Sequence, residues 1–270
     1  MKNIKAKKSL GQNFLKDEGI IQKIVEVSKA DKNTDIIEIG PGLGAVTKYL
    51  VDTGKSLTAI EIDDRLYENL ERMFGHYENF RLIKQDVLKT DISSLITDNT
   101  IIVANLPYYI TTPIVTTLLE NNYNLKSLTI MVQLEVAKRI CANEKSKDYG
   151  ALSVLCNYYC DTSLELIVDK NCFDPVPKVT SGVVKMDFLP KPKVSPQNEK
   201  EFFRVVKSAF SNRRKTLANC LMNSYGFSRE NVNSLLEKCG IDVMARGETL
   251  SLENFKNLSD NITEFCQNKN

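Results

Sequence analysis

Five short apolar runs, at residues 36–39, 57–60, 80–83, 101–104 and 128–132, are separated by helical periodicity near 45–51, 64–73 and 112–121, with a further helical stretch ahead of them at 19–29. This alternation constrains the fold more than any other feature of the chain. Neighbouring parallel strands need a crossover of a dozen or more residues, and a helix usually supplies it. Repeated strand-helix units therefore predict a mostly parallel sheet with helices on both faces. Two later runs, 164–168 and 182–188, suit a hairpin at the sheet edge, so the expected architecture is a doubly wound α/β sheet with an antiparallel margin. The texture changes after residue 188. Pro190, Pro192 and Pro196 break a segment that reads as a linker. The stretches 199–211, 214–223, 229–239 and 252–266 beyond it are wholly helical, as in a small separate domain.

A chain of 270 residues with 42% hydrophobic content can bury cores of that size. No run approaches the roughly 20 apolar residues of a membrane span, and Met1-Lys2-Asn3-Ile4-Lys5 leads into no apolar signal core, so a soluble, cytoplasmic protein is expected. Cys141, Cys156, Cys160, Cys172, Cys220, Cys239 and Cys266 are odd in number and scattered, as reduced thiols in a cytosol would be. His76 is the only histidine and sits among turn residues, which disfavours zinc, and no metal is expected. The net charge of +2 does not announce a nucleic-acid partner, so the placement of the cations must carry that argument. Lys2, Lys5, Lys7 and Lys8 crowd the amino terminus, and Arg213-Arg214-Lys215 form a second knot. A solvated tail and a solvated helix end describe both clusters equally well.

The first run ends in Gly40-Pro41-Gly42-Leu43-Gly44 ahead of a helix. Glycines there let the backbone turn tightly and approach a ligand closely. The third glycine comes one residue earlier than in a dinucleotide fingerprint, and no Lys-Ser/Thr pair follows as in a triphosphate loop. Glu61 ends the second run, where an acid can take both ribose hydroxyls, and Asp86 follows the third, where a carboxylate can accept from an adenine amine. Exposed strand-end acids would explain either residue alone. Together the three strand ends describe an adenosine pocket without a pyrophosphate grip, which S-adenosylmethionine meets better than NAD.

Asn105-Leu106-Pro107-Tyr108 closes the fourth run at the carboxyl end of a strand, where open α/β sheets bind ligands. The Asn105 side-chain oxygen and the Leu106 carbonyl can accept both N–H bonds of an adenine amine, and the Tyr108 ring can stack on the base. No strong base and no nucleophile is present. A strand running into a proline turn would produce the same four residues without a ligand.

With these motifs assembled, the chain resembles the ribosomal RNA adenine N6-dimethyltransferase family, and most of all its bacterial small-subunit branch. The resemblance rests on Ser9-Leu10-Gly11-Gln12-Asn13-Phe14-Leu15, Glu38 to Gly44, Gln85-Asp86, Asn105 to Tyr108, Phe173-Asp174-Pro175-Val176-Pro177-Lys178-Val179 with Ser181, and Phe210 through Arg213-Arg214-Lys215-Thr216-Leu217. It implies a doubly wound, seven-stranded Rossmann-like methyltransferase sheet over residues 1–190 and a small all-helical domain over 191–270 that contacts RNA and the ribosome. It also implies a cofactor set. Gln12, Asn13 and Leu15 fold over the methionine end, Gly40 and Gly42 lie in the glycine turn, Glu61 with Ile62 serves the ribose, Asp86 with Val87 the adenine, and Asn105 lies beside the methyl group. Phe173 is implied to face Tyr108 across the target base, although taken alone it reads as a core aromatic. Tyr109 departs from the Asn that the branch usually carries.

The reaction implied is N6,N6-dimethylation of two adjacent adenosines near the 3′ end of 16S ribosomal RNA, by direct methyl transfer from S-adenosylmethionine and without a general base. Lys7, Lys8, Lys178, Arg213, Arg214 and Lys215 are the phosphate contacts expected, the partner is the small ribosomal subunit, and a monomer is the family expectation. Two rival readings remain open: a large-subunit methyltransferase conferring macrolide resistance, and a mainly non-catalytic ribosome-assembly factor. Methylation of a small molecule is disfavoured by the basic clusters and the added helices.

Overall fold

The apolar runs fold as strands of one sheet, most deeply buried at its centre. In the computed structural model, which describes residues 4–121 and 123–267, the chain runs β1 (Phe14–Leu15), α1 (Glu18–Ser28), β2 (Asp35–Ile39), α2 (Thr47–Thr53), β3 (Ser56–Glu61), α3 (Asp64–Phe74), β4 (Phe80–Lys84), β5 (Thr100–Asn105) and α4 (Thr111–Glu120). It continues through β6 (Ser127–Gln133), α5 (Leu134–Ile140), α6 (Ala151–Tyr159), β7 (Cys160–Val168), β8 (Phe173–Asp174) and β9 (Ser181–Phe188). Four helices follow: α7 (Glu199–Ala209), α8 (Leu217–Tyr225), α9 (Arg229–Lys238) and α10 (Leu252–Gln267).

The main sheet has seven strands in the order β4-β3-β2-β5-β6-β9-β7. Strands β4 to β6 pair in parallel, and β9 runs antiparallel to β6 with Gln133 opposite Ser181. Burial follows this order. Central β5 and β6 are buried at nearly every position, whereas edge strand β7 alternates between covered and exposed residues. The chain moves outward from β2 to β4 and then returns to place β5 on the other side of β2, so the strand order reverses between β2 and β5. A crevice opens at such a switch point beyond the carboxyl ends of the strands. A separate two-stranded sheet, absent from the sequence-based expectation, pairs β1 with β8 and sets Leu15 opposite Phe173.

Two compact units divide the chain: residues 1–138 with 161–188, and residues 139–160 with 189–270. The boundary therefore does not fall at 190/191, because residues 139–160 group with the later helices. The Tyr158 and Tyr159 hydroxyls both donate to the Glu199 carboxylate, and the Leu189 and Lys193 amides donate to the Tyr159 and Tyr158 carbonyls. The proline-rich segment is thus tied down along its length and is not a free linker. Helix α8 also begins later than the expected 214, since Thr216 is its N-cap and accepts from the Asn219 amide. Arg213-Arg214-Lys215 consequently lie in the turn ahead of the helix.

In the first unit, Leu50, Leu57, Leu66, Leu70 and Phe74 form part of one buried apolar cluster. Gly44 belongs to this packing as much as to the glycine turn. Its φ is +84°, and a Cβ there would lie 2.5 Å from Phe74 Cε2 and 2.9 Å from Cζ. Gly44→Ala should therefore destabilise the protein by about 2 kcal/mol or more, combining a disfavoured backbone with an overpacked ring. A lower urea midpoint with an unchanged m-value is the expected result.

Candidate active site

Parallel strands that end side by side leave backbone amides to be satisfied, and Glu61 takes up three of them. At the end of β3 its side chain is 4% exposed. Oε1 accepts from the Ile62 and Asp63 amides at 2.9 and 2.8 Å, and Oε2 accepts from Gly42 at 3.1 Å. This carboxylate thereby ties the turn after β3 to the glycine turn after β2. Burial pushes its pKa up, the three amides oppose that, and the Asp63 charge adds to it. Gly40, Gly42 and Gly44 all have positive φ, and the Phe14 ring lies over Gly42, where a Cβ would be 3.3 Å from two ring carbons.

On the other side of the switch point, β5 delivers Asn105 opposite Met131, and the Leu106 amide donates to the Met131 carbonyl at 3.3 Å. The turn after it is closed by Ile110 N–H on the Pro107 carbonyl at 3.1 Å. Among the described residues nothing donates to the Leu106 carbonyl or bonds the Asn105 side chain. The Tyr108 hydroxyl lies 2.8 Å from the buried Ser181 hydroxyl, and burial raises the phenol pKa above its ordinary value, so Tyr108 stays neutral. Asp86 caps the short turn at Val87–Lys89 through one oxygen, which accepts from Leu88 N–H at 3.0 Å. Its second oxygen is left for another donor.

One cavity of about 230 Å³ is lined by Gln12, Asn13, Leu15, Gly40, Gly42, Glu61, Ile62, Asp86, Val87, Asn105, Leu106, Tyr108 and Phe173. These are all the residues singled out for cofactor and target base. Their states differ: Phe173 is buried in the apolar cluster, Tyr108 is half-buried, and Ile62 is exposed. Gln12 differs from expectation. Its side-chain amide is spent on the protein, donating to Asp63 Oδ2 at 2.7 Å and accepting from the Lys7 amide at 2.8 Å.

Of the other lining residues, Glu38 and Tyr109 stand out. Glu38 is an acid inside the otherwise apolar β2 run, a contrast visible in the sequence. Burial pushes its carboxyl up to about 8, the Thr47 hydroxyl opposes this and Glu61 adds to it, while Oε2 has no protein partner. Tyr109, 59% exposed, lays its ring against Gly11, 3.3 Å from where a Cβ would be.

The basic residues divide. Lys7, Lys178, Arg214 and Lys215 are exposed. Lys2 and the side chain of Lys8 lie outside what the structure describes. Arg213 is exposed as well, but its guanidinium also serves the fold, donating to the Lys147 and Tyr149 carbonyls, both at 3.0 Å. No group of three or more potential ligands that could hold a metal ion is found among the described residues, and no helix there is long and apolar enough to cross a membrane.

A family model described as ribosomal RNA adenine dimethylase matches residues 3–264. "Ribosomal RNA small subunit methyltransferase A" of Clostridium acetobutylicum is 47% identical over 262 residues, covering 96% of this chain and 95% of that protein. The protein of that name from Clostridium perfringens is 46% identical over 268 residues, covering 98% and 94%. Among solved structures, a dimethyladenosine transferase from Plasmodium falciparum superposes with a TM-score of 0.79 at 25% identity, over 95% of this chain and 98% of that one. The 23S rRNA methyltransferase ErmE gives 0.72 at 25% identity, over 93% and 100%.

The Glu38 carboxyl makes stability depend on pH in a defined direction. Its pKa is 4.5 when unfolded and about 8 when folded, so between those values the folded state holds the extra proton and stability falls as pH rises. Glu38→Gln should flatten that fall. Urea denaturation of parent and variant at both ends of the interval measures it, and parallel slopes would contradict the assignment.

Proposed function

The chain belongs to the ribosomal RNA adenine dimethylase family, and from that membership we propose that it N6,N6-dimethylates two adjacent adenosines near the 3′ end of small-subunit (16S) ribosomal RNA, using S-adenosylmethionine. The observation that carries this reading is the single cavity joining the Glu61 and Asp86 carboxylates to the free acceptors of Asn105 and Leu106. The residues present fit the cofactor. Glu61 and Asp86 retain acceptor capacity for hydroxyl and amine donors, the Gly40 backbone allows close approach, and Glu38 Oε2 is a buried polar atom without a protein partner at the cavity wall.

When bound, S-adenosylmethionine supplies a methyl group already activated by its sulfonium charge. The protein's task is then orientation, exclusion of water and electrostatic support. Asn105 Oδ1 and the Leu106 carbonyl accept the two N–H bonds of the target amine and direct its lone pair. Tyr108, kept neutral and tethered to Ser181, offers a face for the extruded base. An amine sheds its proton readily once alkylated, so the absence of a titrating base from Asn105-Leu106-Pro107-Tyr108 is consistent with this chemistry. The small-subunit assignment is supported by relatives that are much closer in sequence than the 23S enzyme. The convergence of the Glu61, Asp86, Asn105 and Leu106 acceptors on one cavity favours catalysis over a purely scaffolding role. Arg214, Lys215, Lys7 and Lys178 are the proposed phosphate contacts, and the protein is proposed to act as a cytoplasmic monomer.

Labelled methyl should pass from S-adenosylmethionine to undermethylated small subunits and appear as N6,N6-dimethyladenosine, with none in large subunits. Label in the large subunit would move the chain to the resistance branch. Asn105→Ala should lower turnover by about 10²-fold or more while cofactor affinity stays within a few-fold. The basic turn gives a further prediction. Arg214→Ala should weaken particle binding and reduce the salt slope by about 1 without changing thermal stability. Arg213→Ala should lower the melting temperature, because it removes two bonds that hold the 147–149 segment.

A further inference from the structure

The segment ahead of β1 lines the cavity yet belongs to no sheet. Residues 5–12 have their own internal bonds, Leu10 N–H to the Lys7 carbonyl at 3.0 Å and the Gln12 side chain to the Lys7 amide. Tyr109 packs on Gly11, and the polar ties to the cavity wall come from the turn after β3 and the start of α3. Arg65 forks onto Asp63, Nε to Oδ1 at 2.8 Å and one terminal nitrogen to Oδ2 at 2.5 Å. The same guanidinium reaches the Gln12 side-chain oxygen and the Lys5 carbonyl, both at 3.3 Å. Gln12 returns a bond to Asp63 Oδ2 at 2.7 Å. Asp63 is itself fixed, since its amide donates to Glu61 Oε1 and its Oδ1 accepts from the Arg65 amide.

We propose that Asp63 and Arg65 are positioning residues that latch residues 5–12 over the cofactor cavity and thereby set how fast cofactor and product leave it. The inference rests on the reading that this cavity binds S-adenosylmethionine. Asp63 adjoins the Glu61–Ile62 pair proposed for the ribose, so one short turn both holds the ligand and secures its cover. The two halves of the latch suit an element that must open. The Asp63 side chain is fully buried and serves as a fixed anchor, whereas Arg65 is 40% exposed and can release its longer bonds to Gln12 and Lys5 without unfolding helix α3. The carboxylate is held well down, to about 2, first by Arg65 and then by Gln12, against the effect of burial. It stays ionised throughout the neutral range, so opening does not wait on its protonation. Each methyl transfer after the first requires spent cofactor to leave, which gives such a cover a kinetic role.

The test uses the full chain. Arg65→Met keeps the stem and removes the fork, and Arg65→Lys keeps the charge without bidentate geometry. Dissociation of S-adenosylmethionine and of S-adenosylhomocysteine would be followed by chase, with hydrogen exchange read at residues 5–12 and in α3. The latch predicts dissociation faster by about tenfold in Arg65→Met, as loss of charge-assisted bonds implies, with partial rescue by Lys. Protection should be lost at 5–12 and kept in α3. Gln12→Ala on top of Arg65→Met should speed dissociation further, because Gln12 also holds Asp63 directly at 2.7 Å. An unchanged dissociation rate in Arg65→Met, or protection lost equally in α3, would each overturn the latch. If the parent protein binds neither ligand, the proposed function falls and the latch with it; if the parent binds both and the variants match it, only the latch falls.

Discussion

Glu61 is the point from which the cavity is built. Its carboxylate, buried with no cation beside it, is tolerable only because three backbone amides converge on it. Those bonds set the spacing between the turn after β2 and the turn after β3, and each turn then carries a further part of the site. One presents Gly42 to the Phe14 ring. The other presents Asp63 to Arg65 and Gln12. Strand β1 and the segment before it are thus registered against the two turns that Glu61 joins.

The strands of the sheet are legible in the sequence for a physical reason. A parallel strand covered on both faces is dominated by apolar residues, and β2, β5 and β6 are, with Glu38 the buried exception in β2. Once the strands are found, their carboxyl ends follow, and with them Gly40, Glu61, Asp86 and Asn105. What escapes is non-local or too short to have a period. The β1 and β8 pair has two residues in each strand, and no periodicity announces Phe14 against Asp174. The Arg65 contacts with Lys5 and Gln12 likewise join residues far apart in the chain, with nothing local to mark them. Arg213 teaches a different lesson. A run of three cations reads as a solvent-facing or phosphate-facing knot, but a planar guanidinium beside two carbonyls also serves the fold there. The late start of α8 was legible in principle, since Thr216 is a good N-cap and Arg213 is not.

Burial and charge separate the acids around the cavity into different states, with Glu38 pushed up to about 8, Glu61 raised and Asp63 held near 2. Such a spread often marks an acid-base pair, but here it has another explanation. None of the three is in the tetrapeptide that would face the reacting amine, and each has a structural cause for its shift: burial in an apolar strand for Glu38, burial that outweighs three amides for Glu61, an arginine fork for Asp63. On the proposed reading a sulfonium ligand would enter a cavity whose wall holds the Glu61 carboxyl with no cation beside it among the described residues, so attraction to it there would be little screened by water. A neutral product held in the same place would lose that Coulomb attraction. Its release would then depend less on the walls of the cavity and more on the cover, whose fastening is the half-exposed side of Arg65.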